Sequence, residues 1–97
     1  HHATVIQSFR DKATERFFRQ AHCPSQWRAF EKVAARKLAY LDAARSVEDL
    51  RVPPGNRLEA LRGDRSGQWS IRINDQWRIC FRWTETGPAD VEIVDYH

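Results

Sequence analysis

The last three residues of the chain, Asp95, Tyr96 and His97, have side chains that can bind or transfer protons. Histidine is suited to this because its unperturbed pKa lies near neutrality. They end the last predicted strand, and we expect that strand to deliver them to the edge of a sheet face that carries arginines. Strand alternation puts Tyr96 on the face opposite Asp95 and His97, so a joint role for Tyr96 and His97 requires a twist or a bulge there. A frayed, inert terminus is the alternative.

A second chemical signal is the change in basic residues along the chain. They are mixed Lys and Arg up to Arg45, whereas the seven from Arg51 onward are all Arg. The planar guanidinium matches phosphate oxygens and stacks on bases. We expect the arginines of one sheet face to form a concave positive surface. They would repel one another without an anion to neutralise their charges. The members of this surface are Arg57, Arg62, Arg65, Arg72, Arg78 and Arg82. The alternative is a solvated face with Asp90 and Glu92 as partners.

Glu59 lies inside a predicted strand and has two possible roles. It can act as a general base or as the ion-pair partner of a neighbouring arginine, and the sequence favours the ion pair.

The sequence does not support other kinds of catalytic or metal site. Histidines are too few for a Ser-His-Asp triad, and residues 63–67 form a turn that does not open a helix as a phosphate loop does. Cys23 and Cys80 lack the spacing of a structural zinc site.

The second half of the chain must position these side chains, and its pattern indicates an antiparallel meander. Apolar and polar residues alternate with period two over residues 68–73 and 77–83, and residues 91–96 are predicted to form a further strand. Residues 74–76 form a tight turn in which Asn74 or Asp75 supplies a positive φ, and residues 84–89 form a second turn. Residues 57–62 predict one more strand before them. The apolar face of this sheet needs a cover.

The first half supplies the cover as a helical hairpin. A short strand is predicted over residues 5–9, a helix over 11–21 with Asp11 as cap, and a helix over 26–44 capped by Ser25. The apolar stripe of the second helix has spacings of three and four, and Lys37 falls outside it. The stripe consists of Trp27, Phe30, Val33, Ala34, Leu38 and Leu41. The element order β-α-α-β-β-β-β predicts an α+β fold.

Composition places this chain among small basic domains. With 97 residues, a net charge of +3 and a pI of about 9.2, we expect one domain over residues 5–97 and an anionic partner. Residues 1–4 are interpreted as the remnant of an expression tag. No apolar run of membrane length and no signal peptide is visible, which favours the cytoplasm.

Five ordered motifs carry a resemblance over nearly the whole chain. They are Arg36-Lys37-Leu38-x-x-Leu41-Asp42-Ala43-Ala44, Pro53-Pro54-Gly55-Asn56-Arg57-Leu58, Gly63-Asp64-x-x-Gly67-Gln68-x-Ser70-Ile71, Asn74-x-x-Trp77-Arg78-Ile79-x-Phe81 and Val94-Asp95-Tyr96-His97. In these blocks the sequence resembles the HigB-type toxins of the RelE/ParE superfamily. The resemblance implies a helical hairpin on an antiparallel sheet. It also implies a ribosome-dependent endoribonuclease that cuts mRNA in the A site and needs no metal or organic cofactor.

The resemblance also implies roles for individual residues. Arg78 and Arg62 are expected to stabilise the phosphate, with Arg62 at a position that is often Lys in relatives. His97 is expected to shuttle protons, Tyr96 to stack on or orient a base, and Asp95 to orient its neighbours. Some ribosome-dependent relatives carry His where this chain has Glu59. A carboxylate serves as a base only with a raised pKa and repels the substrate phosphate, so we expect Glu59 to make the toxin slow or mild.

The family implies partners as well. These are a HigA-type helix-turn-helix antitoxin, the 70S ribosome with its mRNA, and operator DNA reached through the antitoxin complex. An alternative function is that of ParE-type relatives, which bind a protein target such as DNA gyrase and cut no RNA. The terminal Asp-Tyr-His and the arginine-bearing face favour RNA. Alanine substitution of Arg78, Tyr96 and His97 separates the two, because toxicity that survives all three favours the binding function.

Overall fold

The structure, a computed structural model, describes residues 5–95 and contains two helices packed on one face of an antiparallel sheet. The helices are α1 (Lys12–Gln20) and α2 (Glu31–Ala43). The strands are β1 (Glu59–Ala60), β2 (Gln68–Arg72), β3 (Trp77–Thr84) and β4 (Gly87–Asp95), in the order β1-β2-β3-β4. The predicted α+β fold is confirmed.

Helix α1 begins at the predicted cap. The Asp11 carboxylate accepts a hydrogen bond from the Thr14 amide at 3.1 Å, and Ala21 ends the helix in a left-handed conformation with φ 55°. Phe17 is buried in the core. The buried Thr14 hydroxyl accepts a hydrogen bond from the Ile93 amide at 3.1 Å, which attaches α1 directly to β4.

The second predicted helix starts differently from the prediction. Residues Ser25–Phe30 form a 3₁₀-helix, and regular α-helix follows only in α2. The Ser25 cap is wrong, because Ser25 lies inside the 3₁₀ turn, which has no side-chain cap. The apolar stripe is confirmed, with Val33 half-buried and the other five members buried. Lys37, predicted to lie outside the stripe, is also buried.

The N-terminal strand predicted over residues 5–9 does not form as a regular strand. This segment runs beside β4, where the Gln7 amide donates to the Pro88 carbonyl at 2.7 Å and the Arg10 amide to the Val91 carbonyl at 2.9 Å. Only one isolated parallel bridge joins them, between Phe9 and Val91. The register of β4 shifts near Asp90, whose φ is 53°, and such a bulge interrupts a continuous ladder.

Two predicted boundaries in the sheet also change. The strand expected over residues 57–62 shortens to two residues, and it starts late because Arg57 is left-handed with φ 46° after the 3₁₀ turn Pro54–Asn56. Strand β4 begins at Gly87, so the turn predicted over residues 84–89 shrinks to residues 85 and 86. Gly87 has a φ of 134°, and a Cβ there would lie 2.2 Å from the Val5 carbonyl oxygen.

The turn between β2 and β3 is held by a side chain. The Asn74 amide oxygen accepts hydrogen bonds from the amides of Gln76 at 2.9 Å and Trp77 at 2.8 Å. Residues 74–76 have no positive φ, so that prediction is wrong. An Asx turn of this kind closes the loop without left-handed backbone. Among the described residues, no helix is long and apolar enough to cross a bilayer.

Candidate active site

A surface pocket of about 270 Å³ lies beside the short strand β1, lined by Arg57, Leu58, Glu59 and Arg78. It opens on the sheet face turned away from the helices, which we call the outer face. The strand register assigns side chains to this face. They are Glu59, Ser70, Arg72, Arg78, Cys80, Glu92 and Val94. Residues 57–59, which include the left-handed Arg57 and the start of β1, form one wall of the pocket, and Arg78 of β3 forms the other.

The guanidinium of Arg78 is fixed within the pocket by two acceptors. Its Nε donates to the Ser70 hydroxyl at 2.7 Å, and its Nη2 donates to the Arg57 carbonyl at 2.7 Å. Only 14% of the Arg78 side chain is exposed. A cation held in this way keeps its orientation without a ligand, which is the arrangement that favours binding of a phosphate or of a developing anionic charge.

Glu59 lies beside Arg78 and is open to solvent. Its Oε1 is 3.7 Å from Arg78 Nη2, and 57% of its side chain is exposed. The ion pair that the sequence favoured is therefore present. Exposed ion pairs contribute little stability, so an incoming phosphate can displace this carboxylate from Arg78 at small cost.

The other arginines of the predicted positive surface lie outside the pocket lining. Carboxylates of the chain neutralise three of them: Arg65 Nη1 is 3.1 Å from Glu92 Oε2, Arg82 Nε is 2.8 Å from Asp90 Oδ2, and Arg72 pairs with Asp75. Asp90 and Glu92 thus act as the partners named in the alternative interpretation. Arg62 and the pocket-lining Arg57 are both exposed, and within residues 5–95 neither side chain forms an ion pair.

Side chains on the outer face also cover two small residues. Ser70 and Cys80 are each 0% exposed, although they alternate with core residues and point away from the helices. Burial raises the pKa of the Cys80 thiol to about 11, so it stays protonated at neutral pH and is a poor nucleophile. In the part of the chain that is described, no three His, Cys, Asp or Glu side chains are grouped as metal ligands.

Asp95 does not lie on the outer face, contrary to expectation. It pairs in register with Trp77, whose ring contacts Phe30 of the helical layer at 5.3 Å between centroids. Arg78 pairs with Val94 on the opposite side of the sheet. The Asp95 carboxylate accepts a hydrogen bond from Gln76 Nε2 at 2.9 Å. Neighbouring residues of a strand point to opposite faces, so Asp95 lies on the helical side because Val94 lies on the outer face. Tyr96 and His97 lie outside the described residues, and their roles stay predictions.

Sequence reasoning missed two components of the pocket. Ser70 was not nominated, although its position between Trp69 and Ile71 assigns it to the same face as Arg78. Alternation combined with the register could have identified it. The carbonyl of Arg57 carries no signal in the sequence, because it is a backbone group exposed by a left-handed conformation.

Comparison with solved structures defines the class of this fold. The YoeB dimer from Staphylococcus aureus matches with a TM-score of 0.57 at 16% identity, covering 99% of both chains. The YoeB–YefM complex from the same organism gives a TM-score of 0.56 at 16% identity over 99% of both chains. At this identity the likeness shows the fold alone. The chain has the fold of the RelE-like toxins.

Sequence comparison identifies the family within that class. Residues 7–97 match the family described as the RelE-like toxin of the type II toxin–antitoxin system HigB, and the chain belongs to this family. Toxin HigB-1 of Vibrio cholerae is 44% identical over 93 residues, covering 92% of this chain and 94% of that protein. Endoribonuclease HigB of Proteus vulgaris is 39% identical over 41 residues, covering 42% of this chain and 45% of that protein. The resemblance found in the sequence is confirmed.

Proposed function

We propose that this toxin is a ribosome-dependent endoribonuclease that cuts mRNA in the A site and thereby inhibits translation. The observation that carries the proposal is the Arg78 guanidinium, held by Ser70 and the Arg57 carbonyl in an open pocket. The relative from Proteus vulgaris, named an endoribonuclease, supports cleavage of RNA. We propose ribosome dependence and independence from metals because the resemblance to HigB-type toxins implies both.

The proposed reaction is attack of the ribose 2′-OH on the adjacent phosphate. The 2′-oxygen forms a bond to phosphorus, the bond to the 5′-oxygen breaks, and a 2′,3′-cyclic phosphate is left on the upstream fragment. A base takes the 2′-OH proton and an acid protonates the departing 5′-oxygen. Arg78 stabilises the charge that builds on the phosphate oxygens. Arg57 lines the same pocket, and the exposed Arg62 adds positive charge.

The terminal residues complete the proposed mechanism. His97 serves as the proton shuttle in this proposal because the unperturbed pKa of histidine lies near neutrality. Tyr96 stacks on or orients a base of the mRNA. Asp95 has its carboxylate on the other side of the sheet from Arg78. Its proposed role is therefore to orient the end of the chain, where it contacts no substrate.

The proposed partners follow from membership of a type II system, in which a toxin is paired with an antitoxin. We propose a HigA-type helix-turn-helix antitoxin, which joins the toxin in repressing their operon and makes most of the DNA contacts. The arginines outside the pocket, Arg65, Arg72 and Arg82, are proposed to contact ribosomal or messenger RNA by exchanging their carboxylate partners for phosphates.

The test is mapping of mRNA 5′-ends in a purified translation system without antitoxin. We expect wild type to cut inside A-site codons only when ribosomes are present. Arg78→Ala and His97→Ala should lose the cuts, whereas Arg16→Ala, an exposed position on α1, should cut as wild type does. If no cut appears while growth still stops in cells, the proposal fails, and a protein target such as a topoisomerase becomes the function to test.

A further inference from the structure

A buried lysine contacts the residue that precedes Arg57 in the pocket wall. Lys37 on α2 is only 6% exposed, and its Nζ donates to the Asn56 side-chain oxygen at 2.6 Å. Burial, together with the charges of Arg36 and Arg72, lowers the pKa of Lys37. Within residues 5–95 no carboxylate pairs with this ammonium group. Burying a charge against a neutral amide is costly, and an apolar side chain of similar size would avoid that cost.

Asn56 uses both ends of its amide. Its oxygen accepts from Lys37, and its Nδ2 donates to the carbonyls of Leu50 at 3.1 Å and Val52 at 3.4 Å. The residue is 0% exposed. Donor and acceptor partners on opposite sides allow only one orientation of the amide. This pair, which we call the Lys37–Asn56 clamp, therefore attaches the loop over residues 50–56 to α2.

The clamp is adjacent in sequence to the pocket lining. Arg57 follows Asn56 directly and has a left-handed φ of 46°, a conformation that non-glycine residues keep only when their surroundings fix it. Its amide donates to the Pro54 carbonyl at 3.1 Å, and its carbonyl accepts from Arg78 Nη2 at 2.7 Å. Residues 57–59 then form the wall of the pocket opposite Arg78.

We propose that Lys37 and Asn56 are positioning residues for the pocket. Lys37 fixes Asn56, Asn56 fixes the backbone conformation of Arg57, and the Arg57 carbonyl orients the guanidinium of Arg78. This role explains why a lysine lies in the core at a position that does not itself line the pocket. The effect of the clamp on RNA cleavage rests on the proposed function, whereas its effect on the conformation of residues 56 and 57 does not.

The first test is single-turnover cleavage of ribosome-bound mRNA at increasing toxin concentration. For Lys37→Met we expect the rate constant at saturating toxin to fall about tenfold or more, with the half-saturating concentration unchanged. The matched control Lys32→Met, an exposed position on the same helix, should equal wild type. A purely structural role would reduce the concentration of active toxin and leave the saturated rate constant unchanged. A saturated Lys37→Met rate within about twofold of wild type overturns the proposal.

The second test is amide hydrogen exchange, which needs no activity. The Asn56 and Arg57 amides, bonded to the carbonyls of Pro53 and Pro54, should exchange about tenfold faster or more in Lys37→Met. The Ile93 amide, bonded to Thr14, should not change. If Lys37→Met does not fold, Asn56→Asp takes its place in both tests, since it keeps the acceptor and removes both donors. Unchanged exchange at residues 56 and 57 overturns the proposal even if wild type cuts no RNA.

Discussion

Two acceptors hold Arg78 from different parts of the chain: the hydroxyl of Ser70 on the neighbouring strand and the carbonyl of Arg57 beyond the sheet edge. The guanidinium is therefore oriented before a ligand binds. A preorganised cation stabilises a developing charge without the cost of rearranging during the reaction. At the scale of single residues, activity should depend on this orientation as well as on the presence of the charge.

The first residue-scale prediction concerns Ser70→Ala. The substitution removes the acceptor of Arg78 Nε, and we expect the single-turnover rate constant for cleavage to fall about tenfold. The free energy of unfolding should fall by about 1 kcal/mol, because one partly buried hydrogen bond is lost. Kinetics and urea unfolding measure the two effects. Ser66→Ala, exposed in the turn before β2, is the control. An unchanged rate with lowered stability would show that Ser70 contributes only to folding.

The second residue-scale prediction concerns Glu59→His. A histidine removes the negative charge next to Arg78 and supplies a group that titrates near neutrality. We expect cleavage of ribosome-bound mRNA to become about tenfold faster. The hypothesis that Glu59 makes this toxin slow would be contradicted by a rate no higher than that of wild type.

At the scale of elements, the sequence predicts what depends on local pattern. Strand β3 was predictable because Trp77, Ile79 and Phe81 alternate with polar residues, and α1 because Asp11 is a recognisable cap. The late start of the strand predicted over residues 57–62 was not predictable, because the left-handed Arg57 accepts a hydrogen bond from Arg78, a contact made only in the tertiary fold. Helical spacing likewise gives no sign that Lys37 is buried, since its partner comes from a loop 19 residues away.

An element-scale prediction follows from the contact between Gly87 and the N-terminal segment. Gly87→Ala would place a Cβ 2.2 Å from the Val5 carbonyl oxygen at a φ of 134°. We expect the free energy of unfolding to fall by about 2 kcal/mol or more, since backbone strain of this kind costs about 1–3 kcal/mol and the close contact adds to it. Gly55→Ala is the control, because no atom lies within 4 Å of the place its Cβ would take and its φ is outside the left-handed region. Equal midpoints in urea for both variants would contradict this packing.

At the scale of the whole molecule, the candidate site was only partly predictable. The arginines of the second half were visible in the sequence, and the structure brings Arg57 and Arg78 together at one pocket. The pairing of Arg65 with Glu92 and of Arg82 with Asp90 depends on strand register and a bulge, which composition does not specify. The net charge of +3 is therefore a poor guide to which arginines are available to an anion.

The stability of the domain should also depend on alkaline pH through Cys80. Burial raises the pKa of this thiol from 9.0 to about 11, so between these values the unfolded chain ionises while the folded one does not. The stabilisation is complete below about pH 9 and is lost as the pH rises toward about 11. At about pH 10.5 we expect a loss of about 2 kcal/mol relative to about pH 8 in urea unfolding. Cys80→Ala should lose much less stability over this range; an identical pH dependence would assign the effect to other groups.

The pairing of residues 5–10 with β4 has a consequence for synthesis. These hydrogen bonds join parts of the chain that are about 80 residues apart, so the sheet edge cannot close while β4 is still inside the exit tunnel of the ribosome. The residues of both helices therefore leave the ribosome before the sheet can be completed. A protein proposed to attack translation would complete its own fold only after its last strand has left the ribosome that made it.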